Sequence, residues 1–210
     1  MSHPRDAESA GLAEVRAPVG AGAGVLVHQR RDREFAVGTW LLEAAPNPQT
    51  ARAQWERSNG IALLRCGGIF AAIRIAADLV RAAAGTDNTV EVDAFLAAAL
   101  HGAPVFMDQF AQWYYVLVPV STGHRKEWRT SRLAPQAEFL GSNCYLGVPR
   151  PDATGPQGVR SYWCVPMDGP GTLAVPDAVS QLVAFGRFRQ AATERDTKGH
   201  EGPPLPAPAR

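Results

Sequence analysis

The sequence predicts an α+β domain, with a mostly antiparallel, twisted sheet of roughly five to seven strands and three or four helices. Three observations support this class. Short apolar runs of strand length are bounded by glycine or proline, other segments carry apolar residues at helical spacing between capping residues, and the two kinds of signal are segregated along the chain. We expect one domain over residues 25–188, a flexible leader over 1–24 and a disordered tail over 189–210.

Two apolar runs, residues 61–64 and 69–75, are the predicted centre of the fold. They flank Gly67 and Gly68, a pattern that predicts two buried strands joined by a tight hairpin. In the second run, one face of the strand is apolar and the other carries a single charge, Arg74. A charge in a buried strand lies at the solvent end or is paired.

The remaining elements follow in order. Asn47 or Thr50 can cap a first helix, Gly85 a second, and Pro176 suits the first turn of the last one, which Gly186 ends. We predict helices over residues 50–57, 78–84, 91–100 and 176–185. We predict further strands over residues 105–107, 113–119, 144–149 and 161–166, the first two forming a hairpin through 108–112.

Composition narrows the function classes. The 21 basic residues nearly balance the 20 acidic ones, which argues against a protein that coats nucleic acid or an anionic membrane, so any basic surface is local. The three cysteines are widely spaced and form no Cys-x-x-Cys pair, which predicts buried, reduced thiols. There is no signal-peptide stretch and no apolar run approaching about 18 residues, so we expect a cytoplasmic protein that does not contact membranes. Abundant Ala, Arg, Gly and Pro are typical of bacteria with GC-rich genomes.

The order of several features carries a family resemblance. Gly-Thr-Trp at residues 38–40 follows a charged patch, and a helix with Trp55 precedes Asn-Gly-Ile-Ala at 59–62 and an apolar strand. An aromatic strand over 113–119 then precedes Tyr-Leu-Gly-Val-Pro-Arg-Pro at 145–151 and a Tyr-Trp strand. In order and spacing the chain resembles the N-terminal domain of bifunctional primase-polymerases, from the archaeo-eukaryotic primase superfamily.

This resemblance implies a fold and a site. In that family, the strand equivalent to residues 69–75 ends in two carboxylates spaced one apart, which hold the divalent metals for nucleotidyl transfer, and a later strand offers a histidine to the incoming nucleotide. Here Ile73, Arg74 and Ile75 stand at the carboxylate positions, and residues 112–115 contain no histidine. Since Mg²⁺ needs oxygen ligands, we expect a catalytically inactive member of the family, without a metal or cofactor.

A basic segment over residues 121–137 suggests what such a domain would retain. Cations around an exposed tryptophan suit phosphate contacts combined with base stacking, and two further arginines are expected to line the vacated metal site. The candidate phosphate- and nucleic-acid-binding residues are Arg65, Arg74, Arg125, Lys126, Trp128, Arg129 and Arg132. The alternative is an ordinary solvated loop without a binding role, whose tryptophan packs back on the domain. The predicted function is weak DNA or nucleotide binding in a regulatory role.

The sequence is also compatible with two other functions. One is a protein-interaction or regulatory module that binds no nucleic acid. The other is a metal-dependent nucleotidyltransferase or nuclease with a relocated site, for which Asp78 and Asp108 are the candidates. Both aspartates, however, occupy positions where acids are common anyway, the start of a helix and a turn.

Overall fold

The structure is a computed structural model that describes residues 23–129 and 136–200. Within these residues, α-helices combine with a five-stranded and a two-stranded antiparallel sheet, which confirms the α+β class. The sequence predictions for residues 1–22, for Arg132 and for residues 201–210 lie outside the described part of the chain.

The elements follow one another with short connections. The helices are α1 (Ala23–Leu42), α2 (Pro48–Trp55), α3 (Ala77–Ala84), α4 (Thr89–Ala99), α5 (Lys126–Arg129) and α6 (Pro176–His200), with a 3-10 helix at Val120–His124. The strands are β1 (Ile61–Arg65), β2 (Ala71–Ala76), β3 (Val105–Asp108), β4 (Trp113–Val118), β5 (Ala137–Leu140), β6 (Tyr145–Pro149) and β7 (Ser161–Val165). Among the described helices, none has both the length and the apolar character needed to cross a bilayer.

The main sheet has the strand order β5-β2-β4-β3-β7, and every pairing in it is antiparallel. The predicted hairpin of β3 and β4 is confirmed. Hydrogen bonds between residues close in sequence stabilise its turn. The Asp108 carboxylate accepts from the amides of Phe110 and Ala111, each at 3.0 Å, and Gln112 has a φ of 57°. Aspartate is favoured at such turns because its side chain satisfies the backbone two and three residues on.

The predicted hairpin of β1 and β2 is wrong. β1 pairs with β6 in the separate two-stranded sheet, whereas β2 lies in the main sheet between β5 and β4. Gly67, with a φ of 90°, turns the chain away between the two sheets, and a Cβ there would lie 2.6–2.8 Å from Ser142. The other edge of β1 is satisfied locally, since the amide of Leu63 donates to Gln54 and that of Arg65 donates to the carbonyl of Ala44. An alternating pattern predicts a strand but does not name its partner.

Two hydrophobic clusters lie on opposite faces of the main sheet. On one face, which we call face A, Ile73 and Ile75 of β2 pack with apolar side chains of α3, α4 and α6. On the other, face B, Ala72 of β2 packs with Phe70 and with α1, α2 and the two-stranded sheet. The first half of β2 is therefore buried from both sides, which explains why its sequence is almost continuously apolar up to Arg74.

Helix α1 was not predicted from the sequence. Its last turns bury Val37 and Leu41 against face B, and Arg33 forms a 2.7 Å ion pair with Asp168. The predicted leader overlaps this helix at residues 23 and 24. Helices with weak apolar periodicity depend on tertiary packing for their stability. The sequence of α1 therefore contains little periodicity from which a helix could be predicted.

Helix α6 also differs from its prediction, because it runs to His200 instead of ending at Gly186. A Cβ on Gly186 would lie 2.6 Å from the Leu79 carbonyl oxygen, so this glycine allows α6 to approach α3 closely. Residues 189–200, which we expected in a disordered tail, are helical.

Candidate functional site

Face B of the main sheet is covered only in part, and its open portion is the candidate functional site. The register places Glu138, Arg74 and Tyr115 side by side on β5, β2 and β4, and it places Trp113 beside Asp108 in the next row. These five side chains are partly exposed, in contrast to the buried row that lies beneath α1 and the two-stranded sheet. We call these five residues the open strip.

Arg74 is the central cation of the open strip. One of its terminal nitrogens lies 2.6 Å from a carboxylate oxygen of Glu138, and the guanidinium stands 4.7 Å from the centroid of the Trp113 ring. Its Nε is buried and has no hydrogen-bond partner among the described residues. A guanidinium over an indole face gains a cation–π interaction. Arg74 is thus held in place by the ring and keeps unused donor capacity.

A second arginine, Arg160, borders the open strip. Two of its nitrogens donate to Asp108 Oδ2, at 2.9 and 3.1 Å, and its guanidinium lies 5.8 Å from the ring centroid of Phe110. Phe110 itself is 79% exposed. Burial alone would raise the pKa of Asp108, but hydrogen bonds from Arg160 and from the amides of Ala111 and Phe110 outweigh it and hold that pKa below its ordinary value. Asp108 is therefore an ionised partner of Arg160.

Tyr115 belongs to the strip and is close to both Arg74 and Arg160. Burial, reinforced by the charge of Asp108, raises the pKa of its phenol above the ordinary value. Its ring stacks on Phe106 with centroids 4.9 Å apart. The phenol therefore stays protonated at neutral pH and can donate a hydrogen bond to an anion in the strip.

The side chains of the open strip are suited to binding an anion and to stacking on an aromatic base. Guanidinium groups bind phosphate oxygens through two parallel hydrogen bonds, and exposed aromatic rings stack on nucleic-acid bases. Each carboxylate of the strip, Glu138 and Asp108, already has an arginine partner. In the described part of the chain, no group of three or more His, Cys, Asp or Glu side chains is arranged to hold a metal ion.

The expectation of an exposed tryptophan in the basic segment is wrong. Trp128 lies on α5 with 6% of its surface exposed and packs into the face A cluster. The physical reason is that this turn of helix has one large apolar side chain, which the core takes up while the charged residues face water. The alternative considered from the sequence, a tryptophan that packs back on the domain, is the observed arrangement.

The cations of this segment are placed as follows. Arg125 forms ion pairs with Asp177 at the start of α6 and with Glu127. Its hydrogen bond lowers the pKa of Asp177. Lys126 and Arg129 are exposed on α5. With Trp128 buried, the described part of the segment offers cations but no exposed tryptophan for base stacking.

Two other sequence candidates lie away from the open strip. Arg65 ends β1, where it lies with exposed Leu63 on the outer face of the two-stranded sheet, so it does not line the strip beside Arg74. Asp78 belongs to α3 on face A, and its carboxylate accepts from the amide of Leu79 at 2.8 Å. Asp78 and Asp108 thus belong to opposite faces of the sheet, and the structure does not bring them together as a relocated metal site.

Sequence reasoning missed Glu138, Arg160 and Phe110 as members of the site. Each lies in a different segment of the chain. The pairing of β2 with β5 brings Glu138 to Arg74, and the pairing of β3 with β7 brings Arg160 to Asp108. The signal present in the sequence was Arg74 itself, a single charge within an apolar strand.

Comparison of the chain with protein-family models, with curated proteins and with solved structures found no significant match. The primase-polymerase resemblance therefore depends on the order and spacing of features in the sequence.

Proposed function

We propose that this protein is a catalytically inactive, primase-polymerase-like domain that binds a phosphate group of single-stranded nucleic acid or of a nucleotide on the open strip. The observation that supports this is the environment of Arg74. It lies within the strand segment, residues 73–75, at which the resemblance places metal-binding carboxylates, it stacks on Trp113, and its buried Nε has no partner within the described residues. A cation at that position holds a phosphate without activating it.

The geometry also supports a base-binding end to the site. Phe110 presents an exposed ring beside Arg160, at the end of the strip opposite to Glu138. Stacking of a base on an aromatic ring contributes about 1–3 kcal/mol and tolerates any sequence. A ligand that carries both a phosphate and a base suits the strip better than a simple inorganic anion.

The test is fluorescence anisotropy with a labelled single-stranded oligonucleotide, at about 50 and about 200 mM salt. We expect affinity to fall with salt, and we expect Arg74→Gln to weaken binding about tenfold or more, because hydrogen bonds to charged groups contribute about 1.5–3 kcal/mol. Arg57→Gln is the charge-matched control, since Arg57 is exposed just beyond α2, the helix that packs on the other sheet.

The double variant Arg125→Ala/Lys126→Ala separates the strip from the basic segment. If binding runs through the strip, the double variant keeps most of its affinity. If it loses affinity while Arg74→Gln does not, the ligand binds at α5 and the assignment to the strip is wrong. Competition by an unlabelled nucleoside triphosphate shows whether a mononucleotide is sufficient.

A second candidate, a protein-interaction module, is favoured by one observation on α6. Phe185 and Phe188 are 45% and 62% exposed, and they lie one helical turn apart. Contiguous exposed apolar patches mark interaction sites, whereas single exposed apolar residues are ordinary. Cross-linking with mass spectrometry, applied to the wild type and to Phe185→Ser/Phe188→Ser, tests whether a partner contacts this helix.

A further inference from the structure

Two of the three cysteines come together where the two-stranded sheet ends. The last registered pair of β1 and β6 is Arg65 with Tyr145, so Cys66 and Cys144 occupy the next opposite positions. The Cys66 amide donates a hydrogen bond to the Cys144 carbonyl at 2.9 Å, which holds the two residues opposite each other, whereas the Cys144 amide donates to the Gly141 carbonyl. These residues are far apart in the sequence, which gives no sign of the pairing.

Both thiols project to the same side of the sheet. Directly opposite residues of an antiparallel ladder share a face, and alternate residues along a strand share it too. Cys66 continues the buried series of Ala62 and Leu64, and Cys144 continues that of Leu146. Cys66 belongs to the hydrophobic cluster on face B, and Cys144 packs against that cluster.

Their spacing suits a covalent link. Opposite residues of two antiparallel strands have Cα atoms about 4.5–5.5 Å apart, and disulfides span Cα separations of about 4.4–6.8 Å. Cys164, on β7, packs with the cluster on face A instead. The fold thus isolates one cysteine and pairs the other two.

We propose that Cys66 and Cys144 form a dithiol modification site, which exchanges with a small disulfide such as oxidised glutathione to close a cross-strand disulfide. This inference stands independently of the proposed function. Cys144 is half-buried and Cys66 is buried, so the reaction begins at Cys144.

The exchange takes two balanced steps. The Cys144 thiolate attacks one sulfur of oxidised glutathione, which forms a mixed disulfide and releases one glutathione thiolate. The Cys66 thiolate then attacks Cys144 Sγ and releases the second glutathione, so that the protein thiols are oxidised and glutathione is reduced. Burial, together with the neighbouring Cys144, raises the pKa of Cys66 to about 12, so the second step accelerates as pH rises.

The experiment uses the full chain, native and reduced, incubated with oxidised glutathione at a pH of about 8, near the ordinary thiol pKa. After alkylation of free thiols and non-reducing digestion, mass spectrometry should find peptides joined through Cys66 and Cys144, with Cys164 alkylated. Cys164→Ser should give the same linked peptides. Cys66→Ala should instead accumulate glutathione on Cys144.

A parallel sample oxidised in denaturant, where all three cysteines are accessible, shows what unselective pairing yields. If the native protein forms no link, or pairs Cys164 as often as the denatured chain does, the proposed dithiol site is wrong. Because the wild-type result is sufficient for this decision, it does not depend on whether a buried cysteine variant folds.

Discussion

The contact between α3 and α6 gives the sharpest test of the packing, through the substitution Gly186→Ala. A new Cβ at residue 186 would lie 2.6 Å from the Leu79 carbonyl oxygen and 3.0 Å from two side-chain carbons of Leu79. In an open helix, replacing glycine with alanine stabilises by about 1 kcal/mol. Here the nearest atom belongs to the backbone and cannot rotate aside, so the two helices must move apart.

Forcing additional atoms into a packed interior costs about 1–3 kcal/mol or more. Because the nearest atom is backbone, we expect a packing cost of about 2–3 kcal/mol, and the gain of about 1 kcal/mol in helix propensity leaves a net loss of about 1–2 kcal/mol for Gly186→Ala. In a chain of this size, each kcal/mol lowers the melting temperature by roughly 2–4 °C. The measurement is the urea midpoint at an unchanged m-value, together with the melting temperature.

Gly68→Ala is the matched control. A Cβ on Gly68 meets no atom within 4 Å, and its φ lies outside the left-handed region, so alanine should be neutral or stabilise by about 0.4–1 kcal/mol. If Gly186→Ala is as stable as wild type or gains about 1 kcal/mol, the helices do not approach as closely as described.

Two further predictions concern buried groups. Burial raises the pKa of Asp93 despite hydrogen bonds from Cys164 and Tyr162, so the folded state binds a proton more readily than the unfolded state and stability from this group rises as pH falls. Asp93→Asn should therefore raise the urea midpoint at pH 7 relative to wild type, with a smaller difference near pH 5; a constant difference would contradict this. Trp128→Ala should cost about 3–5 kcal/mol in urea unfolding, as expected for a core residue. Trp128→Phe should cost much less, because it removes an indole N–H that is buried without a partner in the described chain; equal losses would point to a hydrogen bond at that nitrogen.

The parts of the fold that sequence predicts are those with local causes. The β3–β4 hairpin was predictable because its strands are consecutive and its turn is formed by Asp108 and the two amides that follow. The start of α4 was approximately predictable for the same reason, since Asn88 caps it through the amides of Val90 and Glu91.

The errors arise where the deciding contact is distant in sequence. β1 takes β6 as its partner, and the glycine pair that suggested a tight hairpin instead carries the chain from one sheet to the other. Glycine is common at helix ends, which is why Gly186 suggested one. In the structure, a glycine is needed at residue 186 because Leu79 of another helix lies so close to it. The candidate site belongs to this class, because Arg74, Trp113 and Glu138 come from three strands.

The two arginine–carboxylate pairs at the strip differ in strength, and this difference yields a final prediction. Arg160 holds Asp108 through two of its nitrogens, and that carboxylate is 14% exposed and also accepts from backbone amides. Arg74 and Glu138 share one close contact and are 38% and 32% exposed. Exposed pairs contribute about 0–1 kcal/mol, so breaking the Arg74–Glu138 pair costs little free energy when a phosphate takes the place of Glu138.

Removing the charge of Glu138 should therefore favour the ligand. We expect Glu138→Gln to strengthen oligonucleotide binding by about two- to fivefold, up to the roughly 1 kcal/mol that an exposed pair contributes, and we expect the gain to shrink at high salt because screening weakens both interactions. The assay is the anisotropy titration described for Arg74→Gln, with circular dichroism as a check of folding. The control is Glu56→Gln, an exposed acid at the end of α2, which should leave affinity nearly unchanged. If Glu138→Gln binds no better than Glu56→Gln, Glu138 does not compete with the ligand, and the phosphate contact has been placed on the wrong arginine.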